Sequence, residues 1–110
     1  MADSQNGYYL AGYTGYEMPQ RYNVSSGNHN YAMQVSSAKF TGLSQDIFPS
    51  SGGIRMTFYS TTGTRYVIRN FGSIGTIKGS FGLNDPKTII LGVDNTSSRN
   101  CVASFAWDIA

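Results

Sequence analysis

Glycine interrupts this chain thirteen times, about once in every eight residues. Each interior glycine weakens a helix by roughly 1 kcal/mol relative to alanine. No window of ten or more residues carries apolar side chains at the three-and-four spacing of an amphipathic helix. What recurs instead is short β-branched and aromatic runs between clusters of Gly, Asn, Ser and Pro, the pattern of an antiparallel sandwich or barrel. The expected strands are Gly7–Ala11, Arg21–Ser25, Tyr31–Phe40, Ile54–Ser60, Thr64–Phe71, Thr76–Phe81, Lys87–Val93 and Cys101–Ile109. The expected fold is therefore an all-β, antiparallel β-sandwich of about eight short strands, with a jelly-roll-like winding as one way to close it.

Residues 1–110 are expected to form a single β-sandwich domain, since a chain of this length supports one core. The run Pro49-Ser-Ser-Gly-Gly53 divides a tyrosine-rich first half from a more regular second half, but halves of that size would each be marginal alone. Charged residues are 13% of the chain, with a net charge of +2, about half the usual share of roughly a quarter. The eight Lys and Arg are scattered singly, whereas a nucleic-acid binder concentrates basic residues in a run or stripe. No apolar run approaches the ~20 residues of a membrane helix. No secretory leader is visible in MADSQNGYYLAG. The chain is thus expected to be soluble, with neither a nucleic-acid partner nor membrane insertion, and its compartment is left open. A single cysteine, Cys101, excludes an intrachain disulfide.

Two stretches predict their own pairing. In IRMTFYSTTGTRYVIRNF, Thr61-Thr62-Gly63 is a three-residue hairpin loop with Gly63 in the left-handed position. This pairs Ser60 with Thr64, Phe58 with Tyr66 and Met56 with Ile68 on an apolar face, and puts Arg55, Thr57, Tyr59, Arg65, Val67 and Arg69 on the other. The last strand alternates cleanly, so Cys101, Ala103, Phe105, Trp107 and Ile109 share one face. On that face Trp107 reads as a core anchor, although a lone tryptophan also suits a ligand platform.

Catalytic chemistry has little to work with. The one His, His29, lies in the polar loop Gly27-Asn28-His29-Asn30, and Cys101 is expected to be buried, so no rigid nucleophile–base pair is in sight. Among Glu17, Asp46, Asp85, Asp94 and Asp108, nothing in the spacing marks two as partners for glycoside hydrolysis. Metal-ligand spacing is absent. The expectation is a non-enzymatic protein without cofactor or metal.

Residues 7–31 hold six of the eight tyrosines, whereas five of the six phenylalanines lie beyond residue 45. Tyrosine in place of phenylalanine suits rings whose hydroxyls find a partner or water, and Tyr with Ser, Gly and Asn is the composition of binding loops. A pyranose offers an apolar C–H face and a rim of hydroxyls. Tyr13, Tyr16, Tyr22 and Tyr31, with Arg21, Asn28, His29 and Asn30, supply both complements. The first expectation is therefore a lectin-like binder of a saccharide or glycoconjugate. The rival is a self-assembling subunit of a fibre, shell or phage or virion appendage, in which the same tyrosines form a homo-oligomer interface. A third is anion binding at Arg55, Tyr59, Arg65 and Arg69, against which stands a merely solvated sheet face. Composition and strand rhythm resemble those of small β-sandwich lectins and of viral structural proteins alike.

Overall fold

The computed structural model describes residues 2–110. In chain order the strands are β1 (Asp3–Leu10), β2 (Gly15–Glu17), β3 (Tyr22–Val24), β4 (Gly27–Phe40), β5 (Ile54–Ser60), β6 (Arg65–Phe71), β7 (Gly75–Leu83), β8 (Lys87–Asn95) and β9 (Cys101–Ile109). They form two packed antiparallel sheets. The first has the order β1-β9-β4-β7; the second has the order β2-β8-β5-β6, with β3 following β2 along the same side of β8. Counting β2 and β3 as one broken strand, the pairings nest: β1 with β9, β2 and β3 with β8, β4 with β7, and β5 with β6. A long hairpin rolled up on itself gives this order, which is the jelly-roll winding of a double sheet.

The period-two pattern accounts for the layers. Along β9, Cys101, Ala103, Phe105 and Trp107 are buried between the sheets, and Trp107 is 0% exposed. Along β4, Tyr31, Met33 and Val35 face inward, and then the phase changes to Ala38 and Phe40. A bulge at Ser36 absorbs that change: Val35 pairs with Phe105, and Ser37 with Ser104. The second sheet adds Ile54, Met56, Phe58, Ile89, Leu91 and Val93 to the same core.

The β5–β6 hairpin departs from the sequence expectation in an informative way. Its tip is as expected: the Ser60 N–H donates to the Thr64 carbonyl at 2.8 Å, and Gly63 has a φ of 98°. Beyond it, Tyr59 pairs with Arg65 but Phe58 pairs with Val67, so Tyr66 is the extra residue of a bulge. Every β6 side chain after it is turned over. Val67 and Phe71 are buried, while Ile68 faces out. Two bulky groups gain cover at the cost of one, which explains why the slipped register wins.

Tyr31, expected at a ligand surface, belongs to this core. It is 4% exposed and packs edge-on against Phe58 at 6.0 Å between ring centroids. It lies over Gly79 on β7, where any side chain would strike the ring. Its hydroxyl meets no hydrogen-bond partner among the described residues.

An unpartnered buried hydroxyl is a net cost of roughly 1–3 kcal/mol. Tyr31→Phe should therefore keep the fold and raise the unfolding free energy by about 1 kcal/mol in urea denaturation. Phe58→Ala, by contrast, should lower it by roughly 3–5 kcal/mol by opening a cavity.

Candidate functional site

The sequence-predicted saccharide residues do not converge. Tyr13 stands in the turn before β2, beside Ser97 and hence near the start of β9. His29 and Asn30 lie beside Ala110, just past the other end of β9. Eight residues of extended chain separate those ends, about 26 Å. The hydroxyls of the intervening tyrosines are mostly taken. The Tyr16 hydroxyl accepts the Ala11 N–H at 2.8 Å, and its ring packs edge-on against Tyr8. The Tyr22 hydroxyl donates to the Asp3 carboxylate, and burial together with that carboxylate raises its pKa well above the usual phenol range. Both ring nitrogens of His29 face backbone carbonyls, Ser25 O at 2.7 Å and Ala110 O at 3.2 Å. Asn28 is exposed, with its side-chain oxygen beside Gly82. Arg21 pairs with Glu17 at 3.3 Å.

The expected arginine face is also divided. The β6 bulge carries Arg69 to the inner side of the second sheet, where its guanidinium sits 5.7 Å from the centroid of the Tyr31 ring. Arg55, Tyr59 and Arg65 remain together on the outer face. There they border a hollow of about 440 Å³, which Glu17, Thr57 and Asp94 also line.

Sheet register builds this hollow row by row. In one row Gly15 stands opposite Asp94 and Asp94 opposite Arg55. In the next, Glu17 stands opposite Gly92 and Gly92 opposite Thr57. Tyr59 starts a further row along β5, opposite Ile90, and leans back across the sheet. Its ring covers Gly92 so closely that a Cβ there would sit 3.0 Å from the Cε1 atom. Its hydroxyl donates to Glu17 Oε1 at 2.8 Å. Gly15 plays the same part for Asp94, whose carboxylate occupies the space a side chain on Gly15 would need. Asp94 Oδ2 in turn accepts from Arg55 Nε and pairs with Nη2, both at 3.0 Å. Two glycines inside strands thus let one aromatic ring and one carboxylate lie flat on the sheet.

The chemistry is that of an amphipathic surface. A phenol ring lies over Gly92 with its hydroxyl on the Glu17 carboxylate, and the Asp94 carboxylate stands in the next row. Each carboxylate is engaged by an arginine, and Arg65 stands opposite Tyr59 across the hairpin. The Tyr59 pKa is pushed up to about 12, first by burial and then by the Glu17 carboxylate its hydroxyl binds. Neither glycine, nor Glu17 and Asp94 as neighbours, stood out in the sequence. A glycine inside a run such as Leu91-Gly92-Val93 is the one local hint that something approaches the strand closely. Among the described residues no group of three or more His, Cys, Asp or Glu is placed to hold a metal ion. Among the described residues no helix is long and apolar enough to cross a membrane.

A phenol whose folded pKa lies above its unfolded value stabilises the fold below the unfolded pKa and loses that contribution as pH rises. For Tyr59 the window runs from about pH 10 to about pH 12. The unfolding midpoint should fall across this window. The fall should be shallower in Tyr59→Phe than in the parent, as followed by denaturation at stepped pH.

No protein-family model matches the chain, and no curated protein matches it significantly in sequence.

Proposed function

We propose that this protein binds carbohydrate in the hollow on the outer face of its second sheet. The observation that carries the reading is the Tyr59 ring laid across Gly92 with carboxylates and guanidiniums around it. A pyranose has an apolar C–H face that packs on an aromatic ring. Its hydroxyls donate to carboxylate oxygens and accept from guanidinium N–H groups. The hollow falls within the 300–1,000 Å³ of ordinary small-ligand sites. Glu17 and Asp94 are held by Arg21 and Arg55, so their charges are largely cancelled in place. That balance suits a neutral ligand better than a phosphate or sulfate, for which Arg65 is the one arginine on this face with no carboxylate partner among the described residues.

Binding without turnover is the form of this reading. Both carboxylates are engaged by arginines. His29 spans two backbone carbonyls, and Cys101 is buried with its thiol pushed up to about 11 by desolvation. Jelly-roll winding occurs in lectin and capsid domains alike, so the fold by itself does not choose between them.

A second observation favours self-association, which can coexist with binding. Tyr9 and Val102 face each other in register on the outer side of the first sheet and are 54% and 45% exposed. Such a pair suits an interface between copies, and copies in one assembly would strengthen individually weak sugar sites.

On a glycan array, the parent protein should retain a defined set of saccharides. Tyr59→Ala should weaken retention at least about tenfold, equivalent to roughly 1.4 kcal/mol, while Tyr31→Phe should leave it unchanged. Equal retention by the parent and Tyr59→Ala would remove this hollow from consideration. For self-association, light scattering of the parent should give a mass above that of one chain, and Tyr9→Asp should reduce it to the monomer. A parent that stays monomeric at high concentration contradicts that second reading.

A further inference from the structure

Tyr13 carries two costs that the fold alone gives no reason to bear. It is 75% exposed, the most exposed of the large hydrophobic side chains among the described residues. Its φ is +54°, a left-handed conformation that is an outlier for a bulky residue and natural for glycine. Strain of this kind persists where the surroundings over-determine the backbone, and it concentrates at binding sites.

The surroundings do over-determine it. The Gly12 N–H donates to Asn100 Oδ1 at 3.1 Å, the Tyr13 N–H to Ser97 O at 2.9 Å, and the Asn95 N–H to Thr14 O at 3.0 Å. Gly12 passes so near the Ser98 carbonyl that a Cβ would lie 2.6 Å from its oxygen. Behind this turn Asn95 is 1% exposed and fully satisfied. It donates to Leu10 O and Arg99 O, and accepts from the Ser97 N–H and hydroxyl. A polar knot therefore holds the backbone of this strained turn and leaves its ring exposed.

The ring does not stand alone. It borders a second depression, of about 260 Å³, lined also by Gly15, Arg55 and Asp94, which the main hollow shares. The two depressions meet at the Arg55–Asp94 pair. From Gly92, over which the Tyr59 ring lies, to the Asp94 row is two residues of strand, about 7 Å, and Tyr13 lies beyond. That is longer than one pyranose ring.

We infer that the two depressions are one cleft, that Tyr13 is its second aromatic platform, and that the ligand is a linear oligosaccharide whose successive rings reach Tyr59 and Tyr13 across the Arg55–Asp94 pair. The inference rests on the carbohydrate reading above. Its partner is chain length: a single sugar ring fills the Tyr59 end, and only an oligomer gains contact with Tyr13. Holding the backbone of the Tyr13 turn in place before binding lowers the ordering cost that a mobile loop would add.

Titration calorimetry with cello-, chito- and manno-oligosaccharides, each from monomer to hexamer, tests this on the parent, Tyr13→Gly and Tyr13→Phe. In at least one series the parent's affinity should rise about tenfold or more with length, a step of roughly 1.4 kcal/mol. Tyr13→Gly should lose that rise while keeping the monomer affinity. It should also melt at a higher temperature, because glycine relieves the left-handed turn. Tyr13→Phe should retain the rise. If no series binds the parent at any length, the carbohydrate reading falls and this inference with it. If saccharides bind but affinity is indifferent to length, or the rise survives Tyr13→Gly, the cleft alone is overturned and the Tyr59 hollow stands. A lower melting temperature for Tyr13→Gly would place the ring in the service of the fold and likewise overturn the inference.

Discussion

Tyr59 lies across Gly92 because Gly92 has no side chain, and the outer face of the second sheet takes its shape from that contact. β8 is paired along its whole length, with β5 on one side and β2 and β3 on the other. Its inward residues Ile89, Leu91 and Val93 are committed to the core, so any hollow has to be made on its outward positions. A Cβ at residue 92 would sit 3.0 Å from the ring's Cε1 atom, so the Tyr59 ring would have to shift by a few tenths of an ångström to admit it. The bond to Glu17 then fixes the tilt of the ring, and the Glu17–Arg21 pair extends the same arrangement to the sheet margin. The Gly15–Asp94–Arg55 row repeats the device one step along the strands.

The jelly-roll winding makes these contacts possible by bringing distant parts of the chain together. Glu17 comes from near one end of the sequence and Gly92 and Asp94 from near the other, with the β5–β6 hairpin supplying Tyr59 and Arg65 between them. Core packing sets the details. The Tyr66 bulge, which buries Val67 and Phe71, takes Arg69 off the outer face and puts Ile68 there instead. The electrostatics of the hollow are thus partly a by-product of how the core is filled: one arginine leaves, and two carboxylates arrive that hold others in place.

How much of this could be read from the sequence follows from which interactions are local. The class and most strand positions were legible, because alternation along β9 and the Thr61-Thr62-Gly63 turn are local patterns. Residues 27–30, read as a polar loop, are instead the start of β4, where pairing with β7 rather than any apolar alternation makes the strand. The three-residue β2 was missed, since so short a strand carries no period of its own. The Tyr66 bulge was invisible, because the tip of the hairpin has one register and its base another, and only Ile54 and the core opposite Phe71 decide the base. The saccharide residues proposed from composition were dispersed for a related reason. A count of tyrosines does not distinguish Tyr31, sealed over Gly79, from Tyr13, held out in a strained turn. Tyr59, Glu17 and Asp94 meet only through pairings between strands remote in sequence, and their best local trace is a pair of glycines in strands.

The proposed ligand contact lies on the outer face of the second sheet, over Gly92. The most direct measurement is the change in backbone amide chemical shifts when a retained saccharide is added to isotopically labelled protein. The shifted amides should cluster at Gly15, Glu17, Thr57, Tyr59, Gly92 and Asp94. Shifts confined instead to Asn28, His29 and Asn30, at the far end of β9, would contradict it.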